Sequence, residues 1–165
     1  MANTKFSLPE AEPGEIERLE RNPGYAWLRL HSDGAWGLFL HLDQRYLGRA
    51  YVWHNRHTDM ARFMGLSLCE MLKLQEVASL YERTLERLWQ PDHINYAWLG
   101  NEFASHRGHG HLHIIPRYVS ERVFDGRTYL DENWGRNYAP YQPRRALVYE
   151  LCGIRDALRK GIQAP

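Results

Sequence analysis

Apolar and polar positions change period several times along the chain, and each change marks an element. Tyr25-Ala26-Trp27-Leu28-Arg29-Leu30-His31 and Trp36-Gly37-Leu38-Phe39-Leu40-His41-Leu42 flank Ser32-Asp33-Gly34. Two apolar runs of strand length around a glycine-containing turn predict a β-hairpin. A third strand is expected from Gly48 to Trp53, after the turn Asp43-Gln44-Arg45-Tyr46. From Ser67 onward the period becomes helical: Met71, Leu74, Ala78, Tyr81, Leu85 and Leu88 recur at spacings of 3 and 4. Ser67 and Glu70 form a capping box at the start, and Pro91 ends the helix near Trp89. Val77 and Leu80 lie off the main stripe. Strands are expected from Ile94 to Leu99 and from His109 to Tyr118, and a second, weaker helix from Arg145 to Ile162. Runs of strands with two helices predict an α+β fold with an antiparallel sheet.

The rest of the chain adds little structure. Residues 1–13 are rich in Pro and Glu and are expected to be a flexible tail. Glu15 to Arg21 can form a short helix, stopped by Asn22-Pro23-Gly24. Residues 14–165 then form a single domain. Trp134-Gly135-Arg136-Asn137-Tyr138-Ala139-Pro140 is expected to be an ordered aromatic loop. No internal repeat or low-complexity tract is present.

Composition narrows the function classes. The chain has 165 residues, 44% of them hydrophobic and 25% charged, as in a globular domain that needs no disulfide or metal staple. A net charge of +1 argues against a strongly cationic nucleic-acid coat protein. Among the basic residues, 18 are Arg and 3 Lys. Guanidinium groups suit phosphate oxygens, but a compositional bias of the source accounts for the excess equally well. Cys69 and Cys152 stand far apart, so neither a disulfide scaffold nor a cysteine zinc site is expected. No apolar leader and no stretch of membrane-spanning length are visible. The expectation is a cytoplasmic protein with no membrane or nucleic-acid partner. The nine histidines change this bland picture, because four of them fall between positions 106 and 113.

In His109-Gly110-His111-Leu112-His113-Ile114-Ile115-Pro116-Arg117 a strand would place His109, His111 and His113 on one face, with Leu112 and Ile114 toward the core. Three imidazoles in register are a poor packing solution, since each brings two polar ring nitrogens. Two chemistries use such a row. Neutral imidazoles ligate metals, and a cupin-like metal enzyme would use the row as ligands. The nearest extra ligand, Glu121, lies beyond Pro116, so no clean ligand set is evident. Alternatively, one neutral imidazole attacks phosphorus and forms a covalent phosphoramidate. Isolated His31, His41 and His93 read as ordinary surface or hydrogen-bonded residues, and His54 as a helix-start residue. Trp36 and Tyr46 are aromatic enough to stack on a base.

The His-x-His-x-His motif followed by two apolar residues resembles the signature of the histidine triad (HIT) family. Its flanks resemble bacterial members similar to dinucleoside polyphosphate hydrolases: Asn95-Tyr96-Ala97-Trp98-Leu99-Gly100-Asn101 before it and Ile114-Ile115-Pro116-Arg117-Tyr118 after it. Asp43-Gln44-Arg45-Tyr46-Leu47-Gly48-Arg49 resembles the family's D-x-R-Y-P-G-H segment, and the segment Trp134 to Pro140 a family C-terminal one. The likeness spans residues 25–140. It implies a HIT-like fold of about five antiparallel strands with one long and one C-terminal helix, usually a homodimer, with no cofactor. It implies nucleotidyl transfer or hydrolysis at an α-phosphate through a nucleotidyl-histidine. By position in the motif, His111 is the nucleophile, His113 contacts the phosphate and His109 supports the row. His57 would lie near the leaving group, Asn101 at the phosphate and Asp43 near the nucleoside pocket.

The chain departs from the family pattern at Leu47, Arg49 and His54, where Pro, His and Pro are usual. The loop Glu102-Phe103-Ala104-Ser105-His106-Arg107-Gly108 also lacks the usual polar lead into the triad. Ser105, His106 or Arg107 would replace those contacts, with Arg107 the best anion partner on chemistry. The function expected is therefore a nucleotide hydrolase or nucleotidyl transferase acting on a dinucleoside polyphosphate or a nucleoside phosphoramidate. A metal-dependent enzyme and a non-catalytic nucleotide-binding protein are the alternatives.

Overall fold

The computed structural model describes residues 26–33, 35–54, 62–99, 110–139, 144 and 146–164. The expected tail, the helix from Glu15 to Arg21 and most of the loop before the histidine strand lie outside them. Among the described residues, seven strands and two α-helices follow one another in the order β1 (Arg29–Ser32), β2 (Trp36–Leu40), β3 (Ala50–His54), α1 (Leu68–Trp89), β4 (His93–Leu99), β5 (His111–Arg117), β6 (Arg122–Phe124), β7 (Arg127–Tyr129) and α2 (Val148–Gln163). The first five strands form one antiparallel sheet in the order β1-β2-β3-β5-β4. β6 and β7 form a separate ribbon. The fold is therefore the α+β antiparallel sheet with one long and one C-terminal helix that the sequence predicts.

One sheet face packs on the helices. Leu38, Leu40, Ala50, Val52 and Ile114 meet Leu74, Val77, Tyr81 and Leu85 of α1 and Leu151, Ile154 and Leu158 of α2 in a single core. Each of the Leu, Ile and Val side chains contributes roughly 1.5–3 kcal/mol by leaving water. The capping box at Ser67 is present: Ser67 Oγ accepts from the Glu70 amide, and Glu70 returns a carboxylate oxygen to the Ser67 amide at 2.8 Å. Because strand residues alternate, the opposite face carries the odd-numbered positions of β3 and β5, and these include the histidines.

The buried stripe of α1 differs from the expected one. Val77 is in the core at 2% exposure, whereas Leu88 is 36% exposed. The helix is wedged between the sheet and α2, so its buried face is set by both partners. Thr84 belongs to that face because Gly161 of α2 comes so close that a Cβ there would stand 2.8 Å from Thr84 Cγ2.

Three boundaries also shift. The third strand starts at Ala50, because Gly48 turns at φ +81 and the Arg49 amide donates to the Tyr46 carbonyl. The histidine strand starts at His111, and the C-terminal helix starts at Val148, where the Leu147 amide donates to Glu150. The β6–β7 hairpin is not among the expected strands. Its turn residues, Asp125 and Gly126, both have positive φ, as a two-residue hairpin of the type I′ kind requires.

The aromatic segment beginning at Trp134 is held by a buried ion pair. Arg117, at the end of β5, donates from Nε to Asp131 Oδ2 at 2.6 Å and from Nη2 to Asp131 Oδ1 at 3.1 Å. The same guanidinium reaches the carbonyls of Asn133 and Arg136. A planar five-donor fork satisfies this set, which an ammonium could not.

Candidate active site

β5 is an interior strand, and its position fixes the surroundings of its imidazoles. His113 lies between Tyr51 of β3 and Ala97 of β4, and His111 lies between Trp53 and Leu99. Both histidines are buried, at 1% for His111 and 2% for His113. Their Nε2 atoms are 2.7 Å apart, with ring centroids at 4.5 Å. At that separation one nitrogen must carry the proton and the other must accept it. One ring of the neutral pair thus keeps a lone pair on Nε2, and the other is an Nε2–H donor. This combination can supply a nucleophile together with a hydrogen-bond donor for an anionic oxygen.

Aromatic rings surround the pair. Tyr51 lies 5.9 Å from the His111 ring and 6.2 Å from the His113 ring, and Trp53 lies 6.0 Å from His111. Phe39 stacks on Tyr51 at 5.5 Å with the planes 13° apart. Tyr51 and Trp53 are only partly buried. Trp36 and Tyr46, the aromatics considered above for base stacking, are fully buried, at 0% and 1% exposure. Burial raises the pKa of the Tyr46 hydroxyl, which donates to the Tyr138 carbonyl.

His41 was expected to be an ordinary residue, but the structure places it at the site. It follows β2 two residues after Phe39, and its ring centroid is 5.6 Å from that of His113 and 6.1 Å from that of Tyr51. Its Nδ1 accepts from the Asp43 amide at 2.9 Å. Parity was the available signal, since Phe39 and His41 share a face on a strand that continues in register.

Asp43 is buried, and its carboxylate organises the protein. Oδ1 accepts from the amides of Arg45 and Arg144, and Oδ2 accepts from Arg49 Nη1 at 3.3 Å. Arg49, one of the departures from the family pattern, is thus the charge partner of Asp43. His54 faces the helix side: it meets Trp36 edge-on at 4.6 Å, and its Nε2 is 3.6 Å from Glu70. His93 stacks on Trp134 at 5.6 Å, at the far end of β5 beside Arg117. There a cavity of about 270 Å³ is lined by His93, Arg117, Trp134, Gly135 and Arg136. The remaining expected site residues, His57, Asn101, Ser105, Arg107 and His109, lie outside the described residues.

No protein-family model matches the chain, and no curated protein sequence matches it. Solved structures do. A histidine triad protein from Sinorhizobium meliloti is 20% identical, covers 88% of this chain and 93% of its own, and superposes with a TM-score of 0.64. One from Bradyrhizobium japonicum is 22% identical, covers 81% of this chain and 89% of its own, with a TM-score of 0.60. A hypothetical histidine triad nucleotide-binding protein from Sulfolobus tokodaii is 17% identical, over 82% and 83%, with a TM-score of 0.59. The chain has the histidine triad fold. In this HIT fold the paired imidazoles of His111 and His113 stand on an interior strand, on the sheet face away from the helices. No helix among the described residues is long and apolar enough to cross a membrane.

Proposed function

We propose that this HIT-fold protein binds a nucleotide and transfers or hydrolyses its nucleotidyl group through a covalent intermediate on His111. The observation that carries the reading is the 2.7 Å contact between the buried Nε2 atoms of His111 and His113. His111 Nε2 attacks the α-phosphorus, and the bond from phosphorus to the leaving group breaks; the leaving group departs with that electron pair and takes its proton from solvent, which regains one from the attacking water in the second step. Water then attacks the same phosphorus, the P–N bond breaks, and the nucleoside monophosphate leaves with neutral His111 restored. His113 donates to a phosphate oxygen once the substrate separates the two rings. Tyr51, beside both histidines, offers an aromatic surface for the base.

His109 supports the row, and Asn101, Ser105 and Arg107 contact the phosphates, with His57 toward the leaving group. Asp43 shapes the nucleoside side of the site by holding the turn after β2. Substrates are dinucleoside polyphosphates such as diadenosine tetraphosphate, or nucleoside phosphoramidates, in the cytoplasm. The working form is a homodimer. Among the described residues β4 is the last strand on its side of the sheet, Phe63 packs 5.3 Å from its Trp98, and Phe63, Met64, Leu68 and Leu72 expose apolar surface. A second copy covering that patch removes it from water and caps an open edge.

Mass spectrometry of protein quenched during turnover tests the reaction. A nucleotidyl mass on the peptide containing His111 is expected. Rapid turnover with no adduct in wild type, or a stoichiometric bound metal required for activity, would overturn the reading.

A further inference from the structure

The loop that begins at Trp134 walls the cavity of about 270 Å³ lined by His93, Arg117, Trp134, Gly135 and Arg136. Arg117 stands six residues beyond His111 on β5, about 20 Å away at the rise of a strand, so this cavity is separate from the paired histidines. One wall is flat: the His93 and Trp134 rings stack in offset fashion, with centroids 5.6 Å apart and planes within 6° of parallel. Trp134 is 36% exposed, so part of its indole surface is open. Gly135 turns at φ +75, a conformation that favours glycine, and it brings no side chain into the cavity.

The rest of the lining is basic. Arg117 has five N–H donors, of which one on Nε, two on Nη2 and one on Nη1 go to Asp131 and to the carbonyls of Asn133 and Arg136. One Nη1–H is left without a partner among the described residues. The Arg136 guanidinium is exposed and makes no hydrogen bond or ion pair among them; only its backbone is engaged. The His93 ring is held by its stack alone, and one of its nitrogens carries a proton in either tautomer. No lining residue is acidic. The acidic residues that flank the lining positions in sequence are paired elsewhere: Asp131 with Arg117, Glu132 with Arg45 and Asp92 with Arg122.

An exposed guanidinium alone needs only water. Here it shares a cavity with two further N–H donors and a flat aromatic wall, and that combination fits an acid group joined to a ring. The volume lies below the roughly 300–1,000 Å³ of sites that enclose drug-sized ligands, which limits the occupant to about one ring and its acid group. We propose that this cavity is a second ligand site, which takes a small planar aromatic anion: a ring bearing a carboxylate or a phosphate. The ring lies against Trp134, Arg136 pairs with the acid group, and His93 and Arg117 supply further donors. The proposal does not rest on the reaction at His111.

Solution NMR on the ¹⁵N-labelled full chain tests this, with benzoate and phenyl phosphate as probes. The indole Nε1–H signal of Trp134, assigned by its loss in Trp134→Phe, reports on the site, and both probes should shift it saturably. Benzamide keeps the ring without the charge, and inorganic phosphate keeps the charge without the ring. Each should bind about 10-fold more weakly than its charged or aromatic counterpart. Arg136→Gln changes an exposed side chain and should weaken both probes by about 10-fold or more, the loss of one charge-assisted contact. His111→Asn should leave their affinity within about twofold, as expected for distant sites; His113→Asn takes its place if that variant does not fold. The absence of a saturable shift overturns the proposal, as does unchanged affinity in Arg136→Gln. Benzamide binding as tightly as benzoate, or inorganic phosphate as tightly as phenyl phosphate, overturns it too. A loss in His111→Asn as large as in Arg136→Gln would place the probes at the histidine pair and reject the second site.

Discussion

At the scale of single residues, the proposed reaction is tested first at His111. His111 is buried, and its Nε2 faces that of His113. Replacing it with Ala removes the covalent route, so turnover should drop on the order of 10³-fold or more in steady-state assays. A variant that keeps a tenth of wild-type kcat would remove His111 from the role. Arg107 belongs to the same scale. If it meets the phosphates, polyphosphate substrates should gain most from its charge, since the Coulomb energy grows with ligand charge. Arg107→Gln should then lower kcat/KM for a dinucleoside polyphosphate by about 10–100-fold, the equivalent of a lost charge-assisted contact of about 1.5–3 kcal/mol. A nucleoside phosphoramidate should be affected less, and equal effects on both would place Arg107 outside the phosphate contacts. The pair of His111 and His113 was legible at this scale, because only alternation was needed to put them on one face. His41 was not legible: a lone histidine in an apolar run looks ordinary until the sheet brings β2 and β5 to either side of Tyr51.

Elements show where local rules give way to packing. Gly161 sits inside α2, where Ala would normally be preferred by about 1 kcal/mol. Here the added Cβ would stand 2.8 Å from Thr84 Cγ2 and 3.2 Å from Leu88 Cδ1. Leu88 is partly exposed and can yield, but Thr84 is buried, β-branched and bonded to the Leu80 carbonyl. Overpacking of this kind costs about 1–3 kcal/mol, enough to reverse the propensity gain. Gly161→Ala should therefore lower Tm by about 2–4 °C, the shift for about 1 kcal/mol at this chain length. A rise in Tm measured by calorimetry would show that α1 and α2 separate more easily than their contact suggests. The same contact explains why the stripe on α1 shifted. Periodicity identified the helix and its capping box but could not say that a second helix would claim Thr84 and Val77. The β6–β7 hairpin had its signal in Asp125-Gly126, but its strands are only three residues each, too short for alternation to register.

For the whole molecule, the exposed apolar surface around Phe63, which packs on Trp98 of β4, sets the expectation. Met64 and Leu68 are 84% and 73% exposed, and together with Phe63 and Leu72 they form exposed apolar surface of the kind that marks a contact site. Sedimentation at micromolar concentration should give twice the 19.5 kDa chain mass. The double change Met64→Glu and Leu68→Glu should return the monomer by placing charge in the contact. A wild-type monomer at that concentration would reject the dimer.

Length, charge, helix period and histidine spacing are local properties, so the sequence alone determined the α+β class, the long capped helix and the shared face of His111 and His113. It also carried the likeness to histidine triad proteins. Tertiary structure decided what depends on neighbours far apart in the chain. The register of β3 against β5 set Tyr51 and Trp53 beside the imidazoles, and the approach of α2 chose the buried face of α1. The turn after β2 brought His41 to His113 and committed Asp43 to Arg49 and the backbone. Spacing along the chain cannot encode these, because strand pairing and helix packing join residues whose separation in sequence carries no period.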